Sequence, residues 1–263
     1  MRELLDVAMA AAHAGGRVLQ DLLPAERAIA TKRTRTDLVT DADREAEAAI
    51  VACIRSHFPD DAILSEERGA EPGRSGYRWI IDPLDGTTNY AHRFPIYCVS
   101  VAVEAGGQVL AGAVYDPTRD EMFAARRGVG ASLNGQRVRV SEVGDLGEAL
   151  LATGFPYDIR TNPRNNLQQF VDLSRRARAV RRPGSAALDL CYVGAGRLDG
   201  YWDLSTGAWD VAAGALIVEE AGGQVSRVTG GAYDIFCGEL VASNGRIHAA
   251  LVAALRESLA TPP

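Results

Sequence analysis

The stretch Trp79-Ile80-Ile81-Asp82-Pro83-Leu84-Asp85-Gly86-Thr87-Thr88-Asn89-Tyr90 organises the reading of this sequence. An apolar run reads as a strand that delivers the Asp82 carboxylate at its end. Pro83 has no N–H to give a ladder, so it stops the strand and turns the chain. Asp85 follows three residues on, and Gly86 permits a tight backbone turn. The amides of Gly86 and Thr87 can then form an anion-binding nest that leads into a short helix. Two carboxylates beside anion-binding amides suit phosphoryl chemistry with a divalent cation, because hard oxygen ligands hold Mg²⁺ and the metal neutralises phosphate. Taken alone, D-x-x-D-G also fits a β-turn with Asp as turn former.

Outward from that stretch, two helices come first. Leu4, Ala8, Ala11, Ala12, Gly15, Val18, Leu19 and Leu22 recur at helical spacing over residues 4–23, closed by Pro24. A second helix starts after Thr40, whose hydroxyl can cap it, and ends before Pro59. Residues 62–66, 78–82, 96–103, 108–115, 121–125 and 137–140 read as strands, with a Gly-, Pro- and Arg-rich loop at 68–76. Gly106-Gly107 and Asn134-Gly135 mark hairpins, which predicts an antiparallel sheet for this half.

The second half alternates. Strands at 150–153, 198–202, 224–228 and 240–243 are interleaved with helices at 165–176, 185–195, 211–221 and 245–259. The change of pattern near residues 141–149 predicts two halves, 1–143 and 144–263, of one compact catalytic unit.

Three further acidic features join Asp82 and Asp85. Glu66-Glu67 ends an apolar strand, where both side chains can swing toward a shared site or simply face water. Asp210 opens a nearly all-apolar helix and needs a partner, either a bound cation or the helix's own amides. Asp37 and Asp43 flank Thr40 and also read as helix-initiating acids.

Composition narrows the function. The 263 residues carry 28 Lys and Arg against 34 Asp and Glu, a net charge of −6, which gives no reason to expect nucleic-acid or anionic-membrane binding. No apolar stretch reaches the ~18 residues of a membrane span. The N-terminus shows no secretory leader, and four scattered cysteines read as buried reduced thiols of a cytoplasmic protein. The four histidines lack zinc spacing, and no GxSxG elbow, Walker loop or GxGxxG turn is present. Water activated by metal and carboxylate is the nucleophile that remains.

The sequence resembles the inositol monophosphatase family, within the wider group of Mg²⁺-dependent, lithium-sensitive phosphatases that includes fructose-1,6-bisphosphatases. The stretch 79–90 resembles its first motif, and Trp209-Asp210-Val211-Ala212-Ala213-Gly214, running into Glu220-Ala221-Gly222-Gly223, resembles its second. Asp37-Leu38-Val39-Thr40-x-x-Asp43, Glu66-Glu67 and Gly184-Ser185-Ala186-Ala187 also stand in the family's order.

The resemblance implies an α/β fold, a layered αβαβα sandwich, commonly dimeric. It implies that Glu66, Asp82 and the Leu84 carbonyl bind one Mg²⁺, that Asp82, Asp85 and Asp210 bind a second, and that a weaker third sits near Glu66. It makes Glu67 and Thr87 the pair that positions and deprotonates water, with Asp43 and Thr40 behind them. The Gly86 and Thr87 amides would hold the phosphate, Gly184, Ser185, Ala186, Asp203 and Asp210 would face the alcohol, and Leu84 and Asp85 would also contact substrate. The implied substrate is myo-inositol monophosphate or a similar polyol phosphate, with Li⁺ as inhibitor. Asp203 stands where Glu is common in the family. Arg181-Arg182 points alternatively to a second phosphate, as in a bisphosphatase, or to a solvated basic edge. A non-catalytic alternative is a regulatory binding protein.

Overall fold

The computed structural model describes residues 2–23, 29–31 and 38–260, with side chains for 2–23 and 41–260. Pro24, Asp37 and the Thr40 side chain lie outside the described residues.

The described elements form five layers, αβαβα. Helices α1 (Arg2–Leu22) and α2 (Asp41–His57) make the first, preceded on the chain's path into α2 by the small pair β1 (Ile29–Thr31) and β2 (Leu38–Thr40). The second layer is an eight-stranded sheet of β3 (Ala62–Ser65), β4 (Gly69–Glu71), β5 (Tyr77–Asp85), β6 (Cys98–Ala105), β7 (Gln108–Asp116), β8 (Glu121–Arg126), β9 (Gly130–Leu133) and β10 (Gln136–Arg137). Its order is β10-β9-β8-β7-β6-β5-β3-β4, with the short helix α3 (Thr87–Ala91) following β5.

The second sheet holds β11 (Leu150–Thr153), β12 (Ala179–Arg181), β13 (Gly200–Asp203), β14 (Gln224–Ser226) and β15 (Leu240–Ser243), in the order β12-β11-β13-β15-β14. Helices α5 (Ala186–Gly194) and α6 (Ala208–Glu220) lie between the sheets, and α4 (Leu167–Arg176) and α7 (His248–Ala260) cover the far face. Among the described residues, no helix is long and apolar enough to cross a membrane.

The layering follows from which faces are apolar. On β6, Val99, Val101 and Val103 pack toward α1 and α2, whereas Cys98 and Ala102 pack toward α5 and α6. Both faces are buried, so the strand reads as a continuous apolar run rather than an alternation. Helix α6 is apolar all round for the same reason, since it is covered by sheet on both sides. Close approach is secured by small residues: a Cβ on Gly112 of β7 would lie 2.9 Å from the Ala213 Cα of α6.

Several sequence expectations need correction. The first half is not purely antiparallel, because β3 runs parallel to β5. The loop expected at 68–76 contains β4, which pairs with β3. Strands β9 and β12 were not predicted, and β10 ends at Arg137 instead of running to 140. The two-residue Asn134-Gly135 turn pairs Leu133 with Gln136 directly, which sets where β10 begins. Of the cysteines, all four are unpaired, but only Cys98 and Cys191 are buried, Cys53 and Cys237 being half-buried.

The Glu220 carboxylate accepts from the amides of Gly128 (2.7 Å), Val129 (3.1 Å) and Gly130 (2.8 Å), tying the β8–β9 hairpin to the end of α6. The tighter contact is Gly112 on Ala213. Gly112→Val is expected to wedge the sheet from α6 and cost about 1–3 kcal/mol, read as a lowered denaturation midpoint.

Candidate active site

Strand β5 does not stop at Pro83. It continues to Asp85 through a bulge: Asp82 pairs with Ser100 and Asp85 with Cys98, so three steps on β5 oppose two on β6. Pro83 sits in that irregularity, where no ladder N–H is needed. In a regular strand Asp82 and Asp85 would face opposite sides, because their spacing is odd. The extra residue brings both onto the face of Cys98 and Ser100, toward α5 and α6. Within the bulge the Leu84 amide donates to Asp82 Oδ1 at 3.0 Å.

The parallel pairing of β3 with β5 supplies the next carboxylate. Both strands end on the same side, and the ladder continues as the Glu66 amide donates to the Ile81 carbonyl at 3.2 Å. Glu66 therefore stands beside Asp82. The turn carrying Glu66 and Glu67 is held by Glu47, buried on α2, which accepts from Ser65 Oγ and, at 2.9 Å, from Arg68 Nε. Sequence reading missed Glu47, which looks like one more charge on a polar helix face.

Gly86 turns the chain into α3 with φ of 93°, and a Cβ there would lie 2.9 Å from the Ile96 carbonyl. Its left-handed backbone and this close approach both call for glycine. The Thr87 hydroxyl lies 3.0 Å from the Leu84 carbonyl and 3.4 Å from Asp43 Oδ1. Asn89 donates to the carbonyls of Ile96 (2.8 Å) and Pro183 (2.9 Å), bolting α3 to the loop that enters α5.

From the other sheet come Asp203, at the end of β13, and the N-termini of α5 and α6. Helix α6 begins at Ala208, three residues earlier than its apolar run suggests. Asp210 thus lies in its first turn, and its Oδ2 accepts from the Gly207 amide at 2.6 Å. The helix-amide alternative for Asp210 is therefore real and coexists with its place in the site. Asp85 Oδ2 accepts from Ser185 Oγ (2.6 Å) and the Ala187 amide (2.7 Å). Ser185 faces the site as expected, but its hydroxyl is engaged by Asp85. Asp203 accepts from the Tyr201 hydroxyl and the Ser205 amide, both at 2.9 Å.

These groups line one cleft of about 340 Å³. Of the residues singled out in the sequence, Glu66, Asp82, Leu84, Asp85, Gly86, Thr87, Gly184, Ser185, Ala186, Asp203 and Asp210 line it. Glu67 and Asp43 do not; Asp43 is reached through Thr87. Arg182 is the one basic residue among the described lining, and both Arg181 and Arg182 are solvent-exposed. Phe155, Tyr157 and Asp189 also line the cleft and were not anticipated. Asp189 was discoverable, since it lies one helical turn beyond Ser185 on the same face.

Electrostatics explain why this collection is unstable by itself. Burial, then Glu66, Asp85 and Asp210, push the Asp82 carboxyl well up. Burial, then Glu66 and Asp85, do the same to Asp210. Asp85 is raised to about 6 by burial, against the opposing hydrogen bonds from Ser185 and Ala187. Burial also raises Asp203 to about 6, and Asp189 well above its ordinary value.

A cation would relieve that repulsion, and the donor set is the hard oxygen chemistry that Mg²⁺ prefers. The carboxylates do not form a ready-made cage: among the described residues, no three His, Cys, Asp or Glu side chains are close enough to share one ion. Asp82, Asp85 and Asp210 each rest on protein donors.

The layered fold and this acidic cleft suit a metal-assisted phosphoester hydrolase, and comparison with known proteins places the chain. Residues 1–260 match the inositol monophosphatase family, and the chain belongs to that family of phosphatases. It is 44% identical over 253 residues to the inositol-1-monophosphatase of Synechocystis sp., covering 95% of this chain and 88% of the relative. It is 42% identical over 261 residues to the Nus factor SuhB of Escherichia coli, covering 98% of each. The inositol monophosphatase structure from Anabaena superposes with a TM-score of 0.89 at 43% identity, over 97% of this chain and 96% of that one. A structure of an IMPase/NADP phosphatase complexed with Mg²⁺ and phosphate superposes with a TM-score of 0.78 at 26% identity, over 91% of this chain and 89% of that one.

The raised carboxyls set a pH dependence. Each binds its proton more tightly folded than unfolded, so the folded chain holds more protons between about pH 4 and pH 6. Metal-free stability is therefore expected to fall as pH rises through about 6, and Mg²⁺ to restore it above that. Melting temperatures in EDTA and in Mg²⁺, at about pH 5 and about pH 8, check this; curves that coincide at about pH 8 would contradict it.

Proposed function

We propose that this phosphatase is Mg²⁺-dependent and hydrolyses myo-inositol monophosphate, or a similar polyol phosphate, to the alcohol and inorganic phosphate. The supporting observation is that Glu66, after β3, Asp82 and Asp85, both on β5, and Asp210, on α6, line one cleft with a single basic residue among its described lining. The Mg²⁺ and phosphate of the related IMPase/NADP phosphatase, and the name of the Synechocystis inositol-1-monophosphatase, support the same reading.

Glu66, Asp82 and the Leu84 carbonyl would hold a first ion, Asp82, Asp85 and Asp210 a second, and Glu66 would contribute to a weaker third. Metal held by these residues would supply neutralisation of the ester's charge and a water of lowered pKa. Thr87 is placed to orient that water, since its hydroxyl already lies between the Leu84 carbonyl and Asp43. In this reading Glu67 takes the water's proton through Thr87, and Thr40 backs Asp43. The amides of Gly86 and Thr87, at the start of α3, have no intrahelical partners and hold the phosphate. Asp203 faces the alcohol with Gly184, Ser185 and Ala186, while Asp210 shares that side.

A bisphosphatase activity, such as on fructose 1,6-bisphosphate, is the second reading. Arg182 on the cleft wall favours it, because a guanidinium there suits an alcohol carrying a second anion. A regulatory binding role is the third, suggested by the Nus factor name of relatives at 42% identity. The chain is further read as a cytoplasmic homodimer. Exposed Leu167 and Val171, one turn apart on α4, offer an apolar contact, and the four unpaired cysteines suit a reducing compartment.

Phosphate release from myo-inositol 1-phosphate, fructose 1,6-bisphosphate, histidinol phosphate and adenosine 3′,5′-bisphosphate tests this, each with Mg²⁺, EDTA and Li⁺. The inositol ester is expected to lead, with Mg²⁺ required and Li⁺ inhibitory. Asp85→Asn is expected to lower kcat by about 10²-fold or more, by analogy with removal of one preorganised charge. Turnover insensitive to EDTA, or an Asp85→Asn variant as active as wild type, would contradict the reading.

A further inference from the structure

One buried polar group in the cleft takes no part in the chemistry assigned above. Asp189 is the only charged residue of α5, in the sequence Ala-Ala-Leu-Asp-Leu-Cys-Tyr-Val-Gly. It is 1% exposed, yet it lines the cleft. Its Oδ1 is one of two buried side-chain oxygens among the described residues that lack a hydrogen-bond partner. Native interiors rarely leave such an atom unsatisfied.

Packing does not explain it. Leu188 and Leu190 on either side, and Cys191 and Val193 beyond, are fully buried apolar residues, and an apolar side chain would fit that environment without an orphaned oxygen. Arg182 acts on Asp189 electrostatically, but among the described residues no ion pair joins the two. The backbone explains where it points: its amide donates to the Ser185 carbonyl at 3.0 Å, so Ser185 and Asp189 are stacked one turn apart on one face. Ser185 reaches Asp85 on the phosphate side. Asp189 lies one turn farther along the helix, on the wall it shares with Tyr201 and Asp203.

We infer that Asp189 is a specificity-determining residue that hydrogen-bonds a hydroxyl group on the alcohol half of the substrate. The inference rests on the phosphomonoesterase reading and narrows its substrate class to polyhydroxylated alcohols. A carboxyl accepts a hydroxyl's hydrogen in either protonation state, so the role does not depend on its charge. Rotation about its last side-chain bond exchanges the two oxygens at little cost, which lets the unsatisfied one turn into the cleft when a hydroxyl arrives. An ester whose alcohol carries no hydroxyl leaves that oxygen unpaired, and the enzyme discriminates against it.

The test compares wild type, Asp189→Ala and Asp189→Asn on myo-inositol 1-phosphate and on p-nitrophenyl phosphate, both with Mg²⁺. In Asp189→Ala the KM for the inositol ester is expected to rise about tenfold relative to that for the aryl ester, as for loss of one buried hydrogen bond. Asp189→Asn keeps a hydrogen-bonding oxygen and is expected to recover most of that ratio. Asp189→Leu, close in volume, repeats the measurement if the alanine variant does not fold. An unchanged ratio, or equal losses on both esters, would overturn the inference and leave the proposed function standing. Wild-type enzyme inert on both esters would overturn the proposed function, and this inference with it.

Discussion

Carboxylates repel one another, and burying them magnifies the repulsion. This chain nevertheless gathers Glu66, Asp82, Asp85 and Asp210 on one cleft, with Arg182 the one basic residue among its described lining. Besides burial, Glu66, Asp85 and Asp210 raise the proton affinity of Asp82, and Glu66 and Asp85 raise that of Asp210. The rest of the structure supplies the rigidity that keeps them together. Ser185 and the Ala187 amide hold Asp85, the Leu84 amide holds Asp82, and the Gly207 amide holds Asp210. The bonds to Asp82 and Asp210 are local, whereas Asp85 is held by a neighbour a hundred residues away in the chain.

The layered architecture makes that meeting possible. The cleft opens where the end of β5 in one sheet faces the end of β13 in the other, with the first turns of α5 and α6 between them. Open α/β sheets commonly place ligands at the carboxyl ends of their strands, where loops and helix N-termini converge. Small residues keep the layers close: Gly112 lies on Ala213, and a Cβ on Gly214 would fall 2.6 Å from Leu190 Cβ. A shift between layers would separate Asp82 and Asp85 on one sheet from Ser185 and Asp210 beyond it.

Much of this was legible in the sequence, because the motif residues have few other uses. Pro83 and Gly86 are backbone-specific, and five acidic or Gly-rich motifs in order identify the family before any coordinates. What could not be read depends on partners distant in the chain. The bulge at Asp82–Asp85 is defined by register against Ser100 and Cys98, and the parallel pairing of β3 with β5 by a crossover through β4. Strands β4, β9 and β12 span three or four residues, too few for alternation to show, and β9 contains Gly130. Glu47 was hidden because a buried glutamate and a solvated one look alike until Ser65 and Arg68 close on it. Ser185 was placed correctly, but its bond to Asp85, a hundred residues away, was not visible.

The central claim is that this acidic cluster is a divalent-cation centre built around Asp82. Crystals grown with phosphate and Mn²⁺, measured at the manganese absorption edge, test it most directly. The account predicts at least two anomalous peaks in the cleft, with the Asp82 carboxylate shared between them and phosphate at the amides of Gly86 and Thr87. A cleft holding phosphate with no anomalous peak, and Asp82 still turned to the Leu84 amide, would contradict it.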